Sequence, residues 1–163
     1  MGMDIYGNNP TSNVGEYVRF NVWGWRPVWR YCCEVGSSII TPELEKAGGY
    51  NDGAGLETQE ECDKLANILQ EHIDSGHAKA KEEKWLEDKI KADKWNDHIN
   101  ALYGLLREKV GNKIVPRDYN EHHKKLFDRI QSLQDWSSSY PFSVNSVKEF
   151  IEFLQECGGF KIN

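Results

Sequence analysis

The chain lacks long hydrophobic runs, and none of its apolar stretches approaches the roughly 20 residues that a membrane-spanning helix needs. Its start, Met1-Gly2-Met3-Asp4, has neither the basic residues nor the apolar stretch of a secretory signal peptide. It also lacks an excess of positive charge, since 20 Lys and Arg stand against 26 Asp and Glu, a net charge of −6. These absences predict a protein without a membrane partner and disfavour general nucleic-acid binding, which is typical of basic domains.

Cysteine is sparse and shows no paired spacing. Cys32 and Cys33 are adjacent, while Cys62 and Cys157 lie far from them and from each other. Tetrahedral zinc sites usually take two ligands from one short segment, and no CxxC pair is present. We expect no metal and no cofactor. Buried free thiols in a reducing cytoplasm are the interpretation that this pattern favours.

The charges are distributed unevenly along the chain. Residues 1–78 carry 5 basic and 12 acidic side chains, a net of −7, whereas residues 79–125 carry 12 basic and 9 acidic ones, a net of +3. Opposite charges three or four residues apart are typical of exposed helical faces. We interpret the mildly basic middle as solvated helix, not as a nucleic-acid groove.

Both ends of the chain have strand character, whereas the part between them is helical. Residues 17–22 alternate apolar and polar side chains, and residues 3–6 and 160–162 are short apolar stretches beside turn signals. We predict a mostly helical α+β fold whose N-terminal and C-terminal strands share a small sheet. The whole chain, 1–163, is predicted as one domain. Its parts are a strand- and loop-rich aromatic part over 1–57, a helical part over 58–136, and a C-terminal helix and strand in 137–163.

Helix boundaries follow from caps and apolar periodicity. Pro27 suits a first turn, which predicts a helix from there to Val35. A capping box at Thr58 and Glu61 opens a second helix. Further helices are predicted over 78–110 with a break at Asn96-Asp97, over 119–136 with Leu126, Phe127, Ile130 and Leu133 buried, and near the C-terminus through Val147, Phe150, Ile151, Leu154 and Cys157.

An aromatic and arginine cluster is the strongest binding signal. Three of the six tryptophans fall in residues 23–29, with Asn21, Arg26 and Arg30 close by. Indole rings either anchor a core or stack on a planar ligand, and a guanidinium offers a fork of donors to carboxylate or phosphate. Both interpretations of the tryptophans stay open. Arg30 is expected on an exposed helical face, and Asp52 is a candidate internal partner for Arg26.

A second signal is the loop 51–55, Asn-Asp-Gly-Ala-Gly, directly before a capped helix. Free backbone N–H groups and a helix N-terminus attract anions, although an ordinary structural turn has the same composition. If Arg26 and this loop line one pocket, that pocket carries a local positive charge, because it joins an arginine to two helix N-termini. The predicted ligand-binding residues are Asn21, Trp23, Trp25, Arg26, Asn51, Asp52 and Gly53.

Several ordered motifs resemble a family of small uncharacterised proteins of bacterial and phage genomes. These motifs are Met1–Gly7 with Asn9–Ser12, Gly15–Tyr17, Asn21–Pro27, Asn51–Leu56, Asp74–Gly76, and Tyr140–Phe142 through to Cys157–Phe160. The resemblance covers about the first half and the last quarter of the chain. It implies a phage or mobile-element accessory protein acting in the bacterial cytoplasm, in counter-defence, but it implies no activity.

The chain departs from that family in two places. Many members hold a cysteine-rich, zinc-finger-like insert where this chain has charged helices over 79–136, so a zinc site does not transfer. Members also tend to have Gly-Arg-Thr where this chain has Gly76-His77-Ala78, which removes an arginine that could contact an anion.

Three functions remain open from the sequence. The first is non-catalytic capture of a small anionic or nucleotide-like ligand; the second is inhibition of a host or phage protein through aromatic and charged helical surfaces. The third is a hydrolase or transferase, for which His72, Asp74 and His77 supply a base but no nucleophile or second carboxylate completes a set. No catalytic residue is therefore predicted.

Overall fold

Short stretches at the two ends of the chain form one sheet because each presents an apolar face. The computed structural model describes residues 2–50, 52–137 and 139–163. In it, β1 (Gly2–Gly7), β2 (Tyr17–Asn21) and β3 (Phe160–Ile162) form an antiparallel sheet in the order β2-β1-β3. The predicted α+β fold, mostly helical with N-terminal and C-terminal strands sharing a sheet, is confirmed.

The register of the sheet places its apolar residues on one face. Met3 lies opposite Phe20, and Ile5 lies opposite Val18 on one side and Ile162 on the other. All five side chains are buried. A shift of one residue would turn them all to the other face, so this burial specifies the register.

The free edge of β3 is covered by the chain that precedes the capping box. Gly53 N–H donates to the carbonyl of Ile162 at 2.8 Å, and Ile162 N–H donates to the carbonyl of Ala54 at 2.9 Å. Phe160 N–H donates to the carbonyl of Leu56 at 2.8 Å. β3 therefore has backbone partners on both sides, which removes an open edge from the sheet.

The chain divides into two compact units. The first comprises Met1–Trp85 and Tyr140–Asn163, and the second comprises Leu86–Ser139. The helices are α1 (Asn13–Glu16), α2 (Val22–Val35), α3 (Pro42–Ala47), α4 (Gln59–Asp74), α5 (His77–Val110), α6 (Glu121–Ser132) and α7 (Val144–Leu154), with a 3-10 turn at Pro116–Asp118.

The helix that carries the aromatic cluster begins earlier than predicted. α2 starts at Val22, because the Asn21 side chain accepts a hydrogen bond from Gly24 N–H at 2.7 Å and caps the first turn. Pro27 consequently lies inside the helix, where it cannot donate to the carbonyl of Trp23. The predicted start at Pro27 is wrong, and Arg26 does not stand at a helix N-terminus.

The core of the first unit lies between the sheet and α2, α4 and α7. The capping box of α4 forms as predicted: Thr58 Oγ1 accepts from Glu61 N–H, and the Glu61 carboxylate accepts from Thr58 N–H. The residues predicted to bury the C-terminal helix are all buried, namely Val147, Phe150, Ile151, Leu154 and Cys157. α7 therefore docks through the apolar stripe that its sequence shows.

In the second unit, α5 continues through Asn96-Asp97 without the predicted break. The Asn96 amide bonds the backbone of Asp135, donating to its carbonyl and accepting from its N–H, each at 2.9 Å. Its side chain therefore does not compete with the backbone of its own helix.

α6 is shorter than the predicted 119–136, and its apolar side chains are less buried than predicted. None of its residues is buried, and Leu133 is exposed as its C-cap. Trp95 Nε1 donates to the carbonyl of Leu133 at 2.7 Å. Together with the Asn96–Asp135 hydrogen bonds, this contact holds the backbone after Leu133 in a non-helical conformation.

A methyl group at Gly55 is expected to destabilise the first unit. A Cβ atom there would lie 1.8 Å from the carbonyl oxygen of Phe160, so the backbone of β3 would have to move. We expect Gly55→Ala to lower the free energy of unfolding by about 3 kcal/mol in urea denaturation. Gly49→Ala is the matched control, since its nearest atom would be Lys46 O at 3.7 Å. Equal stability of the two variants would contradict this packing.

Candidate functional site

The three clustered tryptophans divide into two core residues and one surface residue. Trp25 is fully buried, and its Nε1–H donates to the carbonyl of Gly48 at 2.7 Å. Trp29 is 3% exposed, and its Nε1–H donates to the carbonyl of Glu45 at 2.9 Å. The two indoles stack with ring centroids 5.5 Å apart. Trp25 therefore belongs to the core, and its predicted place in a ligand pocket is corrected.

Trp23 lies on the surface, with half of its side chain exposed. Its ring centroid lies 4.8 Å from that of Tyr140, a residue of the segment before α7. Arg26 Nη1–H donates to the Tyr140 hydroxyl at 2.8 Å, and the guanidinium carbon lies 5.5 Å from the Tyr140 ring centroid. Trp23, Arg26 and Tyr140 thus form one surface cluster. Tyr140 was not predicted as a site residue, because it lies 114 residues from Arg26 along the chain.

The predicted loop does not present free amides to a ligand. Asn51 lies outside the described residues. Asp52 Oδ1 accepts a hydrogen bond from Ala54 N–H at 3.3 Å, and Gly53 N–H is bound to the carbonyl of Ile162. No ion pair between Asp52 and Arg26 is found among the residues that the structure describes. The loop 52–54 therefore acts in the strand-like pairing with β3, and the structural interpretation of its composition holds there.

A cavity of about 400 Å³ lies between α2 and the C-terminal part of α3. Its lining residues are Arg26, Trp29, Arg30, Cys33, Glu45, Lys46, Gly49 and Tyr50. Trp29 and Cys33, both buried, contribute the apolar part, and Tyr50 is 62% exposed. The predicted grouping of Arg26 with Trp23, Trp25 and the loop is not the one observed: Gly53 lines a different cavity with Asn8, Thr41 and Lys161.

The charge of this cavity is positive. Arg26, Arg30 and Lys46 line it, and Glu45 is the carboxylate beside them. Within the described ranges 2–50, 52–137 and 139–163, none of the three cations has an ion pair. Arg30 is exposed on a helical face, as expected, and it stands one turn after Arg26 on the same face of α2. A positive hollow therefore exists on a chain whose net charge is −6.

The cavity thiol is chemically inert near neutral pH. Burial, with the nearby Glu45 carboxylate adding to it, raises the pKa of Cys33 to about 12. A thiol attacks as its thiolate, so Cys33 is a poor nucleophile at pH 7. Cys62 and Cys157 lie elsewhere in the core as free thiols, with their sulfur atoms 3.6 Å apart. The hydrogen bond with Cys157, together with burial, raises the pKa of Cys62.

The histidines proposed as bases take local structural partners. His77 Nδ1 lies 2.9 Å from the hydroxyl of buried Tyr31, and burial raises the pKa of that hydroxyl to about 12. His72 Nδ1–H donates to the carbonyl of Ile68 at 2.9 Å, one turn earlier in α4. Neither histidine lines the cavity between α2 and α3.

The comparisons with known proteins add no identity to this geometry. No family model matches the chain, and no curated protein or solved structure matches it. Among the described residues, no group of three His, Cys, Asp or Glu side chains is placed to hold a metal ion. In the same residues, no helix is both long and apolar enough to cross a bilayer. The resemblance to bacterial and phage proteins stays a prediction.

Matched substitutions separate the core tryptophan from the surface one. Trp25→Phe removes the donor to Gly48 and leaves a buried carbonyl unpaired, so we expect a loss of about 2 kcal/mol in the free energy of unfolding. Trp23→Phe at the surface is expected to change it by less than about 0.5 kcal/mol. Denaturant unfolding followed by circular dichroism measures both. A greater loss for Trp23→Phe would reverse the assignment.

The four cysteines are expected to be protected in the native protein. All four are buried, and burial raises the pKa of Cys33 to about 12, so little thiolate forms at pH 8. We expect slow reaction with a disulfide reagent such as Ellman's reagent, and release of four equivalents once the protein is unfolded. Rapid reaction of any one thiol in the native protein would contradict this protection.

Proposed function

We propose that this protein binds a small anionic ligand in the cavity between α2 and α3, without transforming it. The observation that carries the proposal is the convergence of Arg26, Arg30 and Lys46 on one hollow of an acidic chain. Surface cations of globular proteins are commonly solvated singly or paired with carboxylates. Three that share one concave site supply the electrostatic focusing that attracts an anion.

The two arginines are spaced to hold one anionic group. They stand at i and i+4 of α2, so they are neighbours on its surface, about 6 Å apart along the axis. Each guanidinium offers a planar fork of donors, which suits phosphate or carboxylate oxygens. Tyr140 accepts one hydrogen bond of Arg26, which orients that side chain before a ligand arrives and lowers the entropy lost on binding.

The aromatic residues at the cavity suit a planar group attached to the anion. Tyr50 is exposed and lines the cavity, and its ring offers a face for stacking. Trp29 and Cys33 supply an apolar floor, and a volume of about 400 Å³ is within the range of small-molecule sites. A nucleotide-like ligand has both the charge and the flat ring that these residues favour.

A binding role is favoured over catalysis by the chemistry of the lining. The cavity thiol, Cys33, has a raised pKa and stays protonated. His72 and His77, the bases considered from the sequence, have partners in the core of the first unit and do not line the cavity. Capture of a ligand needs only the cations and the ring.

Extraction of the purified protein is the primary experiment. The protein is purified from cells at low salt, denatured, and its supernatant is analysed by mass spectrometry for anionic metabolites. Isothermal titration with inorganic phosphate, a nucleoside and its 5′-phosphate then follows. A released or titrating anion supports the proposal. A clean extract with no binding of any of these, or turnover of the phosphate ester, overturns it in favour of a protein-binding or catalytic function.

Removal of one cavity charge should weaken anion binding without unfolding the protein. Arg30→Gln is expected to reduce the binding free energy by about 1.5–3 kcal/mol, since it removes a charge-assisted contact. Added salt should weaken binding by the parent protein in the same direction. Arg19→Gln is the control, because Arg19 is exposed on β2 and pairs with Asp4 at 3.5 Å. Equal weakening by both variants would show a general charge effect.

A further inference from the structure

One glycine of α5 has no role in the fold of the second unit. Gly104 lies inside this 34-residue helix, where glycine is less favourable than alanine. Its backbone does not have a positive φ, and a Cβ atom built on it meets nothing within 4 Å. Neither backbone conformation nor close packing therefore requires a glycine at this position. The open space beside it is the feature that an added side chain would remove.

That space belongs to a cavity of about 380 Å³ between α5 and α6. Its lining residues are Asn100, Tyr103, Gly104, Arg107 and Phe127. The four residues from α5 stand at i, i+3, i+4 and i+7, which places them along one face of the helix. Asn100 and Arg107 are about 10 Å apart along the axis, at 1.5 Å per residue, with Gly104 between them.

The aromatic side chains that line the cavity are held in place by ring contacts. The ring centroids of Tyr103 and Phe127 lie 5.3 Å apart at an interplanar angle of 51°. Phe127 also packs edge-on against Tyr119, with centroids 6.1 Å apart, and Tyr119 is buried. These contacts limit the rotamers of Phe127, so the wall is formed before anything binds.

A cation stands at one end of the cavity. In the part of the second unit that the structure describes, Arg107 has no ion pair. Arg107 and Lys109 are the basic residues of the last turn, where a helix favours positive charge. Of the two, Arg107 lines the cavity. At the opposite end, the Asn100 amide offers both a donor and an acceptor.

From these observations we infer that the cavity between α5 and α6 binds an elongated, planar apolar molecule with an anionic group at one end. The flat body lies over the bare backbone at Gly104 and against Tyr103 and Phe127. The anion pairs with Arg107, and a polar group at the far end meets Asn100. This site lies wholly within the second unit and does not depend on the anion site between α2 and α3.

A fluorescent planar anion provides a direct probe. 1-Anilinonaphthalene-8-sulfonate has a flat apolar body and one sulfonate, and N-phenyl-1-naphthylamine has the body without the charge. All titrations use the Arg30→Gln background, because the cavity between α2 and α3 suits the same probe. We expect saturable binding of the sulfonate, at least fivefold weaker binding of the uncharged compound, and at least fivefold weaker sulfonate binding once Arg107→Gln is added. Lys109→Gln is the matched charge control and should bind like the parent. Equal binding by Arg107→Gln and the parent overturns the site.

Gly104→Ala separates a binding role from a structural one. A methyl group should raise the melting temperature by about 2–4 °C, because alanine favours the helix. The same methyl group should weaken sulfonate binding at least fivefold, because it occupies the space over the backbone. Loss of stability, or unchanged binding, overturns the inference. So does sedimentation showing a dimer of the parent that Gly104→Ala abolishes, since the occupant would then be a second helix.

Discussion

The backbone hydrogen bonding of β3 is the constraint on which the first unit depends. Three residues at the C-terminus pair on one side with β1 and on the other with residues 53–56. Segments that are far apart in sequence are joined in this way into one layer, against which α2, α4 and α7 bury their apolar faces. The close approach of Gly55 to Phe160 leaves no room for a side chain at that joint. The position of residues 53–56 therefore depends on β3.

The tryptophan cluster shapes the candidate site indirectly. The indoles of Trp25 and Trp29 donate to carbonyls of Gly48 and Glu45 at the end of α3, and this fixes α3 against α2. The carbonyls at a helix C-terminus would repel an anion, and these two are already occupied. With the indoles buried, the exposed side chains that line the cavity are those of Arg30, Lys46, Glu45 and Tyr50, beside the partly buried Arg26. Core packing and the candidate site thus have the same origin.

Much of the fold was predictable because its signals are local. Alternation identified β2, and a short apolar stretch beside turn signals identified β1. A capping box marked the start of α4, and helical spacing identified the buried face of α7. The predicted start of α2 and the predicted break in α5 were wrong, because each depends on which partner one side chain bonds. Asn21 caps α2 at Val22, five residues before the start predicted at Pro27. Asn96 bonds the backbone of Asp135, and α5 continues without a break. Propensity alone does not decide such choices, because they depend on which partner lies within reach.

The sequence by itself determined the fold class and the pairing of the two ends, and it indicated the segment 21–31 as the candidate binding region. It also brought Arg26 forward as a candidate, because a guanidinium among aromatic rings has few structural roles. Only the tertiary structure decided that Trp25 is core, that Tyr140 orients Arg26, and that Arg30 and Lys46 complete a cavity. The physical reason is that periodicity specifies which face of an element is buried, whereas a site is formed by side chains from separate elements whose spacing is set only when those elements pack.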